Sequence, residues 1–435
     1  MKKFTFIDLF AGIGGFHHAL QSIGGTCVMA CEIDDDCRKV YSNSFSKFPE
    51  NKFYKNIRDI TRLKNNLINE SQIREQIKSK IPNHDVLCAG FPCQPFSKSG
   101  AQRGTLDKIR GTLFFDIMQI ASVKKPKFII LENVRNIAGP RHKETWKLII
   151  KSIRKTGYTV CDIPMILSPH MIPPELGGTP QVRERVFITC ELTGGKGGIK
   201  KNNIITNKTY QYWSPQNWKI NQFLDSKIYA NKYRINNKED MWIAAWEDFV
   251  KKIPCESLPS FPIWIEAFQE TPCINSKLPK WEKEIRIKNS VFYCTHKLFI
   301  DNWLSKKWGN FKMTVKEFPA SRQKFEWQAR KVHPTAKKRT IKNLFIQLRP
   351  SGIRVKPATY LPALVAIAQT SILGPKICKG KYYRYLTAIE AARIQGFPEN
   401  IFKLSKMNDN AAYKQLGNAV NVGIAKLVAK KLLSI

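Results

Sequence analysis

Apolar runs of strand length recur through the first part of the chain: Phe4–Phe10, Thr26–Cys31, Asp85–Phe91, Lys127–Leu131 and Arg185–Cys190. Between them lie helical patterns at Gly15–Ile23, Asp35–Asn43 and Leu113–Val123. This βαβ rhythm predicts a mostly parallel sheet with helices on both faces. The glycine-rich run Gly194–Gly198 ends it. The following stretch has weak strand and helix signals, with Pro, Lys and aromatics interleaved, and reads as a separate, irregular module. Nine of the ten Trp lie between Trp213 and Trp327, which predicts a small core of its own. Regularity returns after Arg349, with helical patterns at Leu386–Gln395 and Val422–Leu433.

Composition narrows the partners. The 435 residues include 72 Lys and Arg against 34 Asp and Glu, a formal charge of +38. A field of that sign attracts polyanions, and nucleic acid is the expected partner. The chain is also rich in Lys, Asn and Ile, so part of the charge is equally read as a compositional bias on a solvated surface. No apolar run approaches the ~20 residues of a membrane span. The N-terminal stretch lacks a signal-peptide pattern, and the expectation is a cytoplasmic protein without a membrane anchor. Eleven cysteines without a CxxC pair argue against a disulfide framework and against a structural zinc; no metal is expected.

The candidate chemistry sits at strand ends. In open parallel sheets ligands bind outside the carboxyl ends of the strands. The first strand runs into Ala11-Gly12-Ile13-Gly14-Gly15, where Gly12 and Gly14 let a ligand approach the backbone and Gly15 lets the helix pack closely. The second ends at Glu32, placed to accept hydrogen bonds from ribose hydroxyls. The third leads into Pro92-Cys93-Gln94, where a thiol at a strand mouth can ionise and attack. A polar, glycine-containing stretch from Phe96 to Gly111 follows and reads as a lid. The fourth ends at Glu132-Asn133, a partly desolvated carboxyl suited to hold or donate a proton. Arg183 and Arg185, two apart on a strand, share one face and offer two guanidinium forks, or else decorate a solvated edge.

The order of these blocks resembles the DNA cytosine-5 methyltransferases of restriction–modification systems. The resemblance rests on Phe6-Ile7-Asp8-Leu9-Phe10-Ala11-Gly12-Ile13-Gly14-Gly15, Gly90-Phe91-Pro92-Cys93-Gln94-Pro95-Phe96-Ser97 and Glu132-Asn133-Val134. It continues through Gln181 to Arg185, Gln395-Gly396-Phe397-Pro398 and Gln415-Leu416-Gly417-Asn418-Ala419-Val420. It implies an α/β, Rossmann-like S-adenosylmethionine-dependent domain over 1–192, completed by 408–435. An irregular target-recognition domain would occupy 193–407.

The resemblance further implies S-adenosyl-L-methionine as cofactor, held by Phe10, Ala11, Gly12, Gly14, Gly15, Glu32, Ile33, Asp59, Ile60, Pro92, Asn418 and Ala419. Cys93 would be the nucleophile, with Glu132, Asn133, Arg183 and Arg185 in the catalytic set. Double-stranded DNA would meet Gln94, Ser97 and Ser99, and a loop around Arg349 and Arg354. A cognate restriction endonuclease is the implied functional partner. Ile33 stands where many relatives carry an aromatic residue, and Asn421 where a proline is common. An RNA (tRNA) methyltransferase on the same fold and a non-catalytic DNA-binding module are the alternatives; intact Cys93, Glu132 and Arg185 speak against the second.

Overall fold

The computed structural model describes residues 3–63, 69–92, 112–199, 205, 209, 213–226, 231–329, 339–364, 371–377, 380–402 and 407–435. It forms two compact units. One comprises Met1–Trp218, Ala363–Ile367 and Ala391–Ile435, the other Lys219–Pro362 and Ala368–Glu390.

The first unit is built on β1 (Phe4–Leu9), β2 (Gly25–Cys31), β3 (Phe53–Tyr54), β4 (Val86–Gly90) and β5 (Phe128–Val134). These five strands are parallel, in the spatial order β3-β2-β1-β4-β5. β8 (Arg185–Leu192) lies antiparallel beside β5, and β6 (Tyr158–Val160) and β7 (Met165–Leu167) share its other edge. The sheet therefore departs from the parallel rule only beyond β5. Its central strands are apolar at successive positions because both faces are covered. Ile7, Leu9, Leu87, Ala89, Ile129 and Leu131 pack on one side with helices α4 (Glu70–Lys80), α5 (Leu113–Lys124) and α6 (Lys143–Lys155). Phe6, Val86, Cys88 and Ile130 pack on the other with α1 (Gly15–Gln21). Two shorter helices, α2 (Asp35–Ser44) and α3 (Arg58–Thr61), flank the β2 edge.

The second unit is more regular than its sequence suggests. It contains α7 (Asn237–Lys252), α8 (Lys280–Thr295) and α9 (Lys297–Ser305), and a sheet of β9 (Ile263–Trp264), β10 (Lys324–Trp327), β11 (Leu344–Arg349), β12 (Gly352–Pro357), β13 (Ser371–Leu373) and β14 (Arg384–Tyr385). Their order is β14-β13-β11-β12-β10-β9. Helix α7 starts at a capping box between Asn236 and Glu239. It buries Met241, Ile243, Ala245, Trp246, Glu247, Phe249 and Val250, more than one face, so it offers no clean amphipathic signature. Trp246 stacks on Phe325 at 4.6 Å and touches Trp303, so the tryptophan-rich stretch does supply a core. The expected loop around Arg349 and Arg354 is instead the β11–β12 hairpin, with Gln347 opposite Arg354.

Past α10 (Ala388–Ile394), the chain supplies the first unit with α11 (Asp409–Asn418) and α12 (Val422–Leu433). Asn421 caps α12, its side-chain oxygen accepting the Ile424 N–H at 3.0 Å. That capping role accounts for an asparagine at this position.

Candidate active site

The carboxyl ends of β1, β2, β4 and β5 open onto one cavity of about 450 Å³. Phe10, Ala11 and Gly12 form one wall, Glu32 and Ile33 another, and Gly90, Phe91 and Pro92 a third. Glu132, Asn133 and Arg185 lie at its inner end, and Gly417, Asn418, Ala419 and Val420 close it from the end of α11 and the link to α12.

The turn after β1 is held from below. Phe10 adopts φ 58 and Gly12 φ 55, so the chain reverses sharply. Glu32 accepts the Gly12 N–H and the Asp34 N–H, each at 2.8 Å, and burial raises its pKa against those two bonds. Deeper, the Asp8 carboxylate accepts the His17 N–H at 3.2 Å, and His17 Nδ1 meets the Tyr41 hydroxyl at 2.6 Å. The His17 ring stacks flat on Phe45 at 3.5 Å. Burial pushes the Asp8 pKa up to about 8 and draws His17 down to about 3. Burial thus favours the neutral forms of both groups under the glycine turn. A Cβ at Gly14 would lie 2.5 Å from the Phe45 ring, and one at Gly15 would lie 2.5 Å from the Val420 carbonyl oxygen. Neither glycine contacts the cavity; both let its walls come together.

Glu132 and Arg185 face each other diagonally across β5 and β8, with Arg185 Nε 3.2 Å from Glu132 Oε1. Both are largely buried. Desolvation raises the Glu132 pKa, and the guanidinium groups of Arg185 and then Arg183 oppose it. Asn133 donates from Nδ2 to the Phe91 carbonyl at 2.9 Å, fixing the backbone that leads into Pro92. Arg183 does not share this arrangement. It is 1% exposed and donates from Nη2 to the carbonyls of Gly417 (3.0 Å) and Ala419 (2.7 Å), clamping the peptide on both sides of Asn418. The twin fork read from Arg183 and Arg185 thus divides into one group at the cavity and one that positions its wall.

Asp59 and Ile60 do not reach the cavity. In the short α3 turn Asp59 is exposed and its carbonyl accepts from Gln76 and Lys80, while Ile60 enters the core. Lys55, Asn56 and Ile57, a few residues earlier, line it instead. Gln415 also lines it, a residue that stands within the block carrying Asn418. Arg38 donates to the carbonyls of Glu32, Phe53 and Tyr54 and so fixes the β2–β3 edge; nothing in the sequence marked it. Cys93, Gln94, Ser97 and Ser99 lie outside the described residues. Ile33 is 62% exposed at the cavity rim.

A glycine turn, an acid at the second strand end and a buried acid–arginine pair at the end of the fifth strand form the ligand cleft of a Rossmann-like catalytic unit. Comparison with known proteins is specific: the model of the C-5 cytosine-specific DNA methylases matches residues 4–434, and the chain belongs to that family. It is a DNA cytosine-5 methyltransferase. It is 34% identical to the type II methyltransferase M.AluI of Cellulosimicrobium cellulans, over 99% of this chain and 92% of that one. Identity to M.HhaI of Haemophilus parahaemolyticus is 40%, over 42% of this chain and 48% of that protein. The S. pombe Dnmt2 methyltransferase structure superposes with a TM-score of 0.53 at 16% identity, covering 99% of both chains, and shares the fold.

Proposed function

We propose that this chain transfers a methyl group from S-adenosyl-L-methionine to C5 of a cytosine flipped out of a short duplex sequence, as the modification half of a restriction–modification system. A cognate endonuclease is then its functional partner, and the cytoplasm its place of work. The observation that carries the reading is the buried Glu132–Arg185 pair in the cavity built by the glycine turn, Glu32 and the Gly417–Val420 wall.

The residues fit the cofactor. Gly12 has no atom within 4 Å of where a Cβ would stand, so the turn leaves open space beside its Cα. Phe10 offers an aromatic face, Glu32 a carboxylate for ribose hydroxyls, and Asn418 a polar rim beside Ala419. Bound there, S-adenosylmethionine supplies an electrophilic methyl group. Cytosine C5 is too weak a nucleophile to take it unaided. Addition of the Cys93 thiolate to C6 makes C5 an enamine-like carbon. Glu132, whose pKa burial raises, hydrogen-bonds N3 and the exocyclic amine as charge develops on the ring. Arg185 holds the base carbonyl. After C5 gains the methyl group, a base removes its proton and the C6–S bond breaks, returning the thiolate. Arg183 and Asn133 act on this scheme through the backbone they hold, not through the base. The second unit is the part that reads the target sequence.

The test is transfer of radiolabelled methyl to duplex DNA and, in parallel, to bulk tRNA. Label on DNA, lost by at least about 100-fold in Cys93→Ala, is the expected outcome. Label on tRNA alone would overturn the DNA assignment. Label on DNA that persists in the variant would overturn the covalent route.

A further inference from the structure

The sheet of the second unit has two unlike faces. On one, Phe325, Trp327, Ile346, Ile353 and Val355 enter the core. The opposite face of the same strands carries Glu326, Gln347, Arg349, Arg354 and Lys356, brought side by side by the pairings Glu326↔Arg354 and Gln347↔Arg354. Arg354 donates from both Nε and Nη2 to Glu326 Oε2, each at 2.7 Å, with the two side chains only about a quarter exposed. The other Glu326 oxygen accepts from the Gln328 amide. Among the described residues, this leaves the end-on pair of Arg354, one hydrogen on Nη1 and one on Nη2, without an acceptor.

Charge separates the roles on this face. The Arg354 guanidinium is compensated by its carboxylate, so it gains little from an anion, yet its fixed end-on fork still matches a neutral pair of acceptors. Among the described residues, Arg349 and Lys356 have no carboxylate within ion-pair distance. Burial draws the Lys356 pKa down, with Arg354 and Arg349 acting in the same direction and Glu326 against them, so this ammonium lies close to the positive charge of Arg349. An anion beside it would relieve that repulsion.

We propose that Arg354, held side-on by Glu326, reads the O6/N7 edge of one guanine in the target duplex, while Arg349 and Lys356 hold phosphates beside it. This rests on the reading of the second unit as the part that recognises the target. Among side chains, an arginine fork on guanine is the best-matched pair in the major groove, and a buttressing carboxylate makes it selective by cancelling attraction to phosphate.

The experiment maps methylated sites on a random duplex library with the full-length enzyme and with Arg354→Gln, Glu326→Gln and Lys356→Ala. Wild type is expected to give one consensus; no methylated DNA at all would overturn the parent reading and this one with it. With a wild-type consensus in hand, Arg354→Gln should lose about tenfold to hundredfold discrimination at a single G·C position and at no other. Glu326→Gln, which is isosteric, should relax the same position while tightening non-specific DNA binding, because it releases the charge of Arg354. Lys356→Ala should keep the consensus, weaken binding to all sequences alike and reduce the salt slope by about one. An unchanged consensus in both Arg354→Gln and Glu326→Gln overturns the proposal, as does relaxation at an A·T position. So does a loss in Arg354→Gln that is uniform over all sequences. Should Arg354→Gln fail to fold by thermal melt, Glu326→Gln alone decides.

Discussion

Glu132 meets two opposing demands within one buried space. Burial favours its neutral form, and Arg185 at 3.2 Å favours the ionised one. Burial is the larger effect, so the folded pKa lies above the unfolded one. The native state then binds the extra proton between the two values, and stability declines as pH rises through that window. Catalysis should follow the same sign. If a protonated Glu132 stabilises the ring, kcat falls on the alkaline side, above the raised pKa. Glu132→Gln should remove that alkaline limb and lower kcat by about 100-fold or more, with DNA affinity changed only a few-fold. A pH–rate profile of the variant with the same limb would assign the titration to another group.

At the scale of elements, the cavity depends on glycine contacts that seat α12 and the residues before it against α1 and the loop before β8. A Cβ at Gly423 would stand 1.9 Å from the Gly177 carbonyl oxygen, and one at Gly15 would meet Val420. Gly423→Ala should therefore lower stability in a urea melt by about 1–3 kcal/mol through overpacking, and raise the KM for the methyl donor as the Gly417–Val420 wall shifts. A wild-type melting curve would mean that α12 is seated elsewhere.

The legible parts of the chain share a reason. β1, β2, β4, β5 and β8 were visible because strands covered on both faces are continuously apolar, and Glu32 and Glu132 because they interrupt such runs at their ends. α12 was visible over its whole length, Val422–Leu433. What stayed hidden was set by tertiary packing. The three-stranded antiparallel edge β6-β7-β8 rests partly on strands of three residues, too short for a pattern. The role of Arg183 is invisible because its acceptors are backbone carbonyls more than two hundred positions away. In the second unit, α7 buries several faces and β9 spans two residues, so neither period rises above the background.

For the molecule as a whole, a net charge of +38 sets the conditions under which it finds DNA. Were this charge in contact with phosphates, affinity for non-specific duplex should fall by about 10³-fold or more between about 50 and 200 mM salt. A fluorescence-anisotropy titration over that range checks it. A nearly flat dependence would assign the lysines to solvated surface.

The wall formed by Gly417–Val420 has a bearing on how the protein is made. Three walls of the cavity come from the first 134 residues, and the fourth is encoded after the whole of the second unit. A nascent chain on the ribosome, or one broken between residues 185 and 417, holds the glycine turn, the acids and Arg185 but not the closed cavity. Methylating power therefore arrives only with synthesis of the far segment, and an incomplete copy is inert toward the genome around it.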